Sequence, residues 1–361
     1  MVSVSLKNVT KRFGNVAAIE GVNLEINDKE FLSILGPSGG GKTTLLRLIA
    51  GLEVPTEGEV YFDGKLVNGV PPRDRNISLV FQNYALFPHL TAFHNIAFPL
   101  TVRKTPKPDI DRRVKEVAEL LGIQHILDRK PKELSGGEQQ RVALGRAIVR
   151  QPDVFLMDEP LSSVDASMRI AMRTELKKLQ KTLGTTLVYV THDQTEAMTM
   201  ADKIAVLRNG KLVQIDAPQA IYDSPKDSWV ASFIGNPPMN LIPATILSNG
   251  QAELSGVRPP ITIKALTKKD GLSSGRKVHV GIRPEDIEVK AEQVNGATCK
   301  GEVYLLESLG DSMIVDIKVG NSIIRAREKV DFRAQIGAQV FMRFNERRLT
   351  LFDLDTGTAI S

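Results

Sequence analysis

At 361 residues the chain exceeds what one ordinary hydrophobic core organises, so two domains are expected. A hydrophobic fraction of 42% with 25% charged residues excludes a disordered or fibrous chain. The net charge of +5, 47 basic against 42 acidic residues, is ordinary surface, and no Lys/Arg block with interleaved aromatics points to nucleic acid.

No run of about 18 apolar residues offers a membrane span. The nearest stretch, 90–102, is interrupted by His94, Asn95 and Pro99. The opening MVSVSLKNVTKRF has no apolar h-region of a secretory signal. The single cysteine, Cys299, excludes an internal disulfide and suits a reducing cytoplasm.

Val4 and Leu6, then Val22, Leu24 and Ile26, alternate as strands do. Phe31-Leu32-Ser33-Ile34-Leu35 is a short apolar run, long enough for a buried strand and too short for a helix. Gly36-Pro37-Ser38-Gly39-Gly40-Gly41 follows as a loop, and Thr43 to Ala50 reads as a helix stopped by Gly51. Strand, glycine loop, Lys-Thr and helix are a P-loop in its required context. Glycines let backbone N–H groups curl round a phosphate, and the helix start aims its positive dipole end at the same anion. Lys42 reaches the β- and γ-phosphates, Thr43 puts its hydroxyl on Mg²⁺, and Thr44 belongs to the same nucleotide-binding set. This stretch implies a nucleoside triphosphate site.

Val60 and Phe62 precede Asp63-Gly64, a hairpin signal. Ile77, Leu79 and Phe81 alternate up to Gln82, and antiparallel strands such as these are expected to flank the P-loop strand. Residues 83–107, rich in Phe and Pro, read as irregular. A helix is expected from an Asp109 cap, with Ile110, Val114, Val117 and Leu121 on one face and Gly122 as stop. A second helix is expected from Gly136 to about Arg150, so 83–153 forms a helical insertion. Within Leu134-Ser135-Gly136-Gly137-Glu138-Gln139-Gln140-Arg141, Ser135 caps the helix while Gly136 and Gly137 leave its N–H groups bare.

The continuously apolar 154–157 reads as a parallel-sheet strand delivering Asp158-Glu159-Pro160, a Walker B arrangement. Asp158 then holds Mg²⁺ through water and Glu159 polarises the attacking water. An amphipathic helix follows on Met168, Met172, Leu176, Leu179 and Leu183, then a buried strand 186–190 and a hairpin at Asn209-Gly210. Around 233–238 the style of sequence changes. Short alternating strands near 278–282, 303–305, 314–317, 323–324, 340–344 and 349–351 then suggest a small β-barrel or sandwich.

With a P-loop, Walker B and Leu-Ser-Gly-Gly in one chain, the sequence closely resembles the ATPase subunit of an ATP-binding cassette (ABC) transporter. The fold class expected is α/β: a P-loop NTPase domain (1–235) with a helical insertion, followed by an all-β OB-like regulatory domain (236–361). The resemblance implies a head-to-tail homodimer in which each ATP lies between one P-loop and the other subunit's signature helix. Ser135, Gly136, Gly137 and Glu138 then serve the γ-phosphate in trans, and Asp165 belongs to the D-loop. Gln82 falls at the Q-loop glutamine, linking Mg²⁺ and water to the transmembrane partner, His192 at the switch histidine and Phe13 at the aromatic that stacks on adenine. In Leu161-Ser162-Ser163-Val164-Asp165-Ala166 the family usually has Asn or Ala at Ser163 and Leu at Val164.

Residues 82–90 resemble the groove that receives a permease's coupling helix. Gly281-Ile282-Arg283-Pro284-Glu285, Pro238-Met239-Asn240 and the β-rich tail resemble importers for maltose, oligosaccharides and glycerol 3-phosphate. The implied function is a peripheral MgATPase on the cytoplasmic face of the inner membrane, driving a separate permease served by an extracytoplasmic solute-binding protein. A regulatory protein at the tail is an added expectation; polyamines and inorganic ions are the alternative solutes. A soluble cassette acting on DNA or ribosomes usually carries a long coiled-coil insertion or two cassettes, and neither is present.

Overall fold

The computed structural model describes residues 2–81, 84–162, 164–248, 251–254, 262–263, 273–292 and 299–360. It divides into two units, Met1–Pro218 and Gln219–Ser361.

The first unit opens with the antiparallel pair β1 (Val4–Phe13) and β2 (Val16–Ile26), in register with Val4 opposite Ile26. Strands β4 (Glu57–Phe62) and β5 (Lys65–Leu66) extend it to a four-stranded sheet, ordered β2-β1-β4-β5. Asp63 and Gly64 between them have φ of 46° and 70°. Positive φ at both positions is the hairpin turn that Asp-Gly favours.

The P-loop strand β3 (Phe31–Leu35) lies in a different sheet. Its partners there are β6 (Ile77–Val80), β7 (Val154–Asp158), β8 (Thr186–Thr191), β9 (Lys203–Arg208) and β10 (Lys211–Asp216), in the order β10-β9-β3-β8-β7-β6. Both neighbours of β3 run parallel to it, and β6 runs parallel to β7. This corrects the expectation of antiparallel flanking strands. The apparent alternation at 77–81 arose from Ser78, which is in fact buried, its hydroxyl donating to Ala147 O at 2.7 Å. A polar residue satisfied internally reads in sequence like a solvent-facing one.

Helix α1 (Lys42–Ala50) buries Leu45, Leu46, Leu48 and Ile49 in one core with residues of both sheets. Its end is fixed by Arg75, only 5% exposed, whose guanidinium donates to Leu48 O, Ile49 O, Val67 O and Val70 O at 2.6–3.0 Å. A cation on the last carbonyls suits the helix dipole. Gly51 has φ of 74°, and a Cβ there would lie 2.5 Å from the guanidinium. Glycine is required on both counts.

The stretch expected to be irregular contains α2 (Ala92–Val102), capped by Thr91 and carrying Pro99 inside. The proline hid the helix, because it removes one helical N–H and normally ends a periodic pattern. Helix α3 (Lys107–Leu120) starts three residues earlier than expected, with Pro106 at the cap and Asp109 in the first turn. Helix α4 (Gly136–Ile148) starts where Ser135 predicts and stops short of Arg150. Helices α5 (Ala166–Leu183) and α6 (Gln194–Met200) complete this unit.

The second unit takes in most of α7 (Pro218–Asp223), with α8 (Ser228–Phe233) and two five-stranded antiparallel sheets. One joins β11 (Asn240–Ile246), β12 (Ala252–Leu254), β13 (Thr262–Ile263), β14 (Lys277–Ile282) and β20 (Thr350–Asp353). The other joins β15 (Ile287–Lys290), β16 (Cys299–Ser308), β17 (Ser312–Val319), β18 (Ser322–Lys329) and β19 (Gln339–Phe344). Their inward residues, among them Ile242, Val280, Val303, Ile317 and Met342, share one core. The change of sequence style at 233–238 lies inside this unit. Buried Arg283 ties α7 and α8 to the sheets, donating to Tyr222 O at 2.8 Å, Ala231 O at 3.2 Å and Ile234 O.

Candidate nucleotide-binding site

The loop after β3 is shaped by close approach of backbone. A Cβ on Gly36 would sit 2.3 Å from Leu207 O, and one on Gly41 would sit 2.5 Å from Ala18 O. Gly41 also has φ of 96° as the residue preceding α1. Neither position accepts another side chain without moving a strand. Between them Ser38 and Gly39 are exposed, Pro37 is half-buried and Gly40 N–H donates to Pro37 O at 3.1 Å.

Lys42 is only 5% exposed, and its Nζ donates to Gly36 O at 3.0 Å and Pro37 O at 3.1 Å. The same ammonium lies 3.9 Å from Glu159 Oε1. Burial lowers its pKa, while the carboxylates of Glu159 and Asp158 oppose that shift. It is a charged donor held at the mouth of the loop.

Thr43 Oγ1 donates to Asp158 Oδ1 at 3.1 Å, which joins the start of α1 to the end of β7. Burial raises the Asp158 pKa, partly offset by the Thr43 bond. Glu159 has φ of 46°, and its N–H donates to Val190 O at 2.9 Å. That conformation is uncommon for a side chain other than Asn or Asp. It sends the Glu159 carboxylate to His192, with Oε2 2.9 Å from Nδ1. An ionised carboxylate only accepts, so Nδ1 carries the proton in this pair. The structure thus brings Lys42, Thr43, Asp158, Glu159 and His192 together, drawn from α1, β7 and the β8–α6 turn.

The remaining predicted residues stand apart in their own bonding. Ser135 caps α4 in a reciprocal box with Glu138: its N–H and its hydroxyl both donate to Glu138 Oε2 at 2.8 Å, and Glu138 N–H returns to Ser135 Oγ at 3.4 Å. These bonds hold the Glu138 carboxyl below its usual range. Ser135 and Gly136 are exposed, while Gly137 is buried against Met168. Asp165 caps α5, accepting from Met168 N–H at 3.0 Å and Ser167 Oγ at 2.7 Å. Phe13 ends β1, 49% exposed with Lys11 Nζ 4.9 Å from its ring centre, and Thr44 is half-buried in α1. Gln82 and Ser163 lie outside the described residues.

Sequence reading placed His192 in this turn but passed over the helix cap that follows it. Asp193 Oδ1 caps α6 by accepting from Thr195 N–H at 2.7 Å and Glu196 N–H at 3.2 Å. Asp-x-x-Glu ahead of a helix was the available signal.

Chemically, a glycine-lined loop, a buried ammonium and a helix start make a polyphosphate cradle. A carboxylate–imidazole pair beside it can orient a water. The comparisons with known proteins agree with that chemistry. Residues 19–162 match the family model for the ABC transporter, 235–287 that for the MalK OB fold domain and 280–352 that for the TOBE domain. The chain is 48% identical to the trehalose/maltose import ATP-binding protein MalK of Thermococcus litoralis over 100% of both chains. It is 45% identical to the oligosaccharides import ATP-binding protein MsmX of Bacillus subtilis, with 95% of each covered. Against the sn-glycerol-3-phosphate import ATP-binding protein UgpC of Bordetella avium it is 45% identical, covering 91% of this chain and 89% of that protein. Among solved structures, the ATP-binding cassette MJ0796, in a dimeric post-hydrolysis state with ADP and Pi, superimposes with a TM-score of 0.54. That match is 37% identical over 60% of this chain and 98% of the other. With three import relatives 45–48% identical over at least 91% of this chain, the chain belongs to the ATP-binding, ATP-hydrolysing subunits of the ABC transporter family.

Proposed function

We propose that this subunit hydrolyses MgATP to drive uptake of a carbohydrate or glycerol-phosphate type of solute through a separate permease, working as two copies of itself. The observation that carries the reading is the convergence of Lys42, Thr43, Asp158, Glu159 and His192, while the exposed Ser135 bonds within its own helix start, to Glu138. The three relatives, all import ATP-binding proteins for saccharides or glycerol 3-phosphate, support the solute class.

Thr43 and Asp158 fit a magnesium ion. Their oxygens already converge at 3.1 Å, and no cluster of three or more His, Cys, Asp or Glu is found among the described residues. Such a site suits a cation completed by phosphate oxygens and water. When bound, the ion neutralises charge on the β- and γ-phosphates. Lys42 adds a positive charge on the same phosphates, and Phe13 offers its exposed ring to the base. Glu159 accepts hydrogen bonds from the attacking water and aligns it with the γ-phosphate; His192 fixes Glu159 and contacts that phosphate. The exposed Ser135 hydroxyl and the N–H groups of Gly136 and Gly137 close over the γ-phosphate of the other copy, with Glu138 orienting Ser135. Asp165 sets the loop at the seam between copies. Closure needs the terminal phosphate and relaxes after its release.

The likeness to import ATP-binding proteins supports a pathway carried by another chain, and no helix among the described residues is long and apolar enough to cross a membrane. A groove of about 400 Å³ lined by Leu79, Phe81, Phe87, Phe98, Arg146 and Arg150 suits a helix from that permease. The chain thereby sits peripherally on the cytoplasmic membrane face. Purification from solubilised membranes tests this. Two permease subunits should accompany the ATPase, with turnover stimulated by a saccharide- or glycerol-phosphate-loaded binding protein. Recovery without any membrane subunit would contradict it.

A further inference from the structure

His192 has little of its own to hold it. The side chain is 57% exposed, yet Nδ1 meets Glu159 Oε2 at 2.9 Å. An exposed ring on a loose loop would sample several rotamers. Its placement therefore comes from the turn that carries it.

That turn is locked on both sides of residue 192. Before it, Thr191, 2% exposed, donates its hydroxyl to Glu196 Oε2 at 2.7 Å. After it, the Asp193 N–H donates to the same Thr191 Oγ1 at 3.0 Å. One hydroxyl thus serves as donor and acceptor at once. Glu196 is 3% exposed and also accepts from Tyr189 Oη at 2.9 Å, so two hydroxyls from β8 converge on one carboxylate oxygen. Helix α6 already has its cap in Asp193. A buried carboxylate is costly and is not needed to start that helix. What it does secure is the backbone on either side of the histidine.

We propose that Glu196, acting through Thr191, is a positioning residue that aims His192 at Glu159 and the terminal phosphate. The proposal rests on the reading of His192 as the group that fixes Glu159. Glu196 touches neither substrate nor the reacting atoms; it acts through the turn.

The test uses the full-length protein and turnover of MgATP. Thr191→Val keeps shape and strand preference while deleting the hydroxyl; Thr191→Ser keeps the hydroxyl. Thr191→Val should lower kcat about tenfold and leave MgADP affinity by calorimetry within about twofold, while Thr191→Ser stays close to the parent. In a His192→Ala background, Thr191→Val should cost nothing further in single-turnover assays. Glu196→Gln should follow the same pattern, and the Thr191 pair carries the test if that variant does not fold. Equal losses from Thr191→Val with and without His192, or no loss at all, would overturn the proposal. Failure of the underlying reading looks different: His192→Ala alone would then turn over ATP like the parent.

Discussion

Thr43 Oγ1 and Asp158 Oδ1 lie 3.1 Å apart across 115 positions of sequence. The contact joins the helix that cradles phosphate to the strand that delivers the carboxylates, and places Lys42 Nζ 3.9 Å from Glu159 Oε1. Lys42, Thr43, Asp158 and Glu159 all meet at this junction.

Lys42 is the charge on which that junction depends. Lys42→Ala leaves the half-buried Asp158 and Glu159 without their nearby ammonium and removes a phosphate partner. Turnover should fall by about 10²–10³-fold at saturating MgATP, with secondary structure by circular dichroism unchanged. Near-normal turnover would refute the assignment of the loop.

Glu159→Gln keeps the size of the side chain and loses the charge that polarises water. Nucleotide affinity should survive while hydrolysis drops by about 10²-fold or more. Gel filtration with MgATP should show a persistent closed dimer, absent with MgADP. Normal turnover by this variant would remove Glu159 from the role of base.

Ser135→Arg places a long cation where a second copy's phosphate should dock. ATP binding by one copy should persist and turnover should be lost. Part of any change comes from the missing cap, about 1 kcal/mol, so Ser135→Ala is the control for helix stability. Unchanged turnover in Ser135→Arg would count against a shared pocket.

Tyr222 makes a pH signature in the second unit. Burial, then its bond to Glu285, pushes the phenol from 10.0 up to about 12. Between those values the unfolded chain releases a proton that the folded one keeps, so stability contributed by Tyr222 falls as pH rises through the window. Tyr222→Phe should be less stable than the parent at pH 8, where the Glu285 bond is intact, by about 1 kcal/mol. The gap should narrow from about pH 10 upward. Denaturant unfolding followed by fluorescence of Trp229, the sole tryptophan, reads this out. A gap constant with pH would contradict the shift.

Much of this was legible in sequence because it is written locally. The Phe31–Leu35 strand, the glycine loop and the Ser135 cap each depend on neighbours a few residues away. What stayed hidden depended on distant partners or on a mixed local signal. Ser78 looked solvent-facing because nothing in sequence shows the Ala147 carbonyl that receives its hydroxyl. Pro99 concealed α2 by breaking its pattern from within. Arg75 gave no hint that it closes α1, since its acceptors range from Leu48 to Val70. The His192–Glu159 pair became visible only once β8 lay beside β7 and Glu159 adopted positive φ.

The central claim is that one copy holds half of each pocket. It is tested most directly by an experimental structure of the Glu159→Gln protein with MgATP. The account predicts a terminal phosphate within hydrogen-bond reach, about 3 Å, of the Ser135 hydroxyl and the Gly137 N–H of a second copy. A terminal phosphate contacted by a single copy only, in a preparation whose parent protein is fully active, would contradict it.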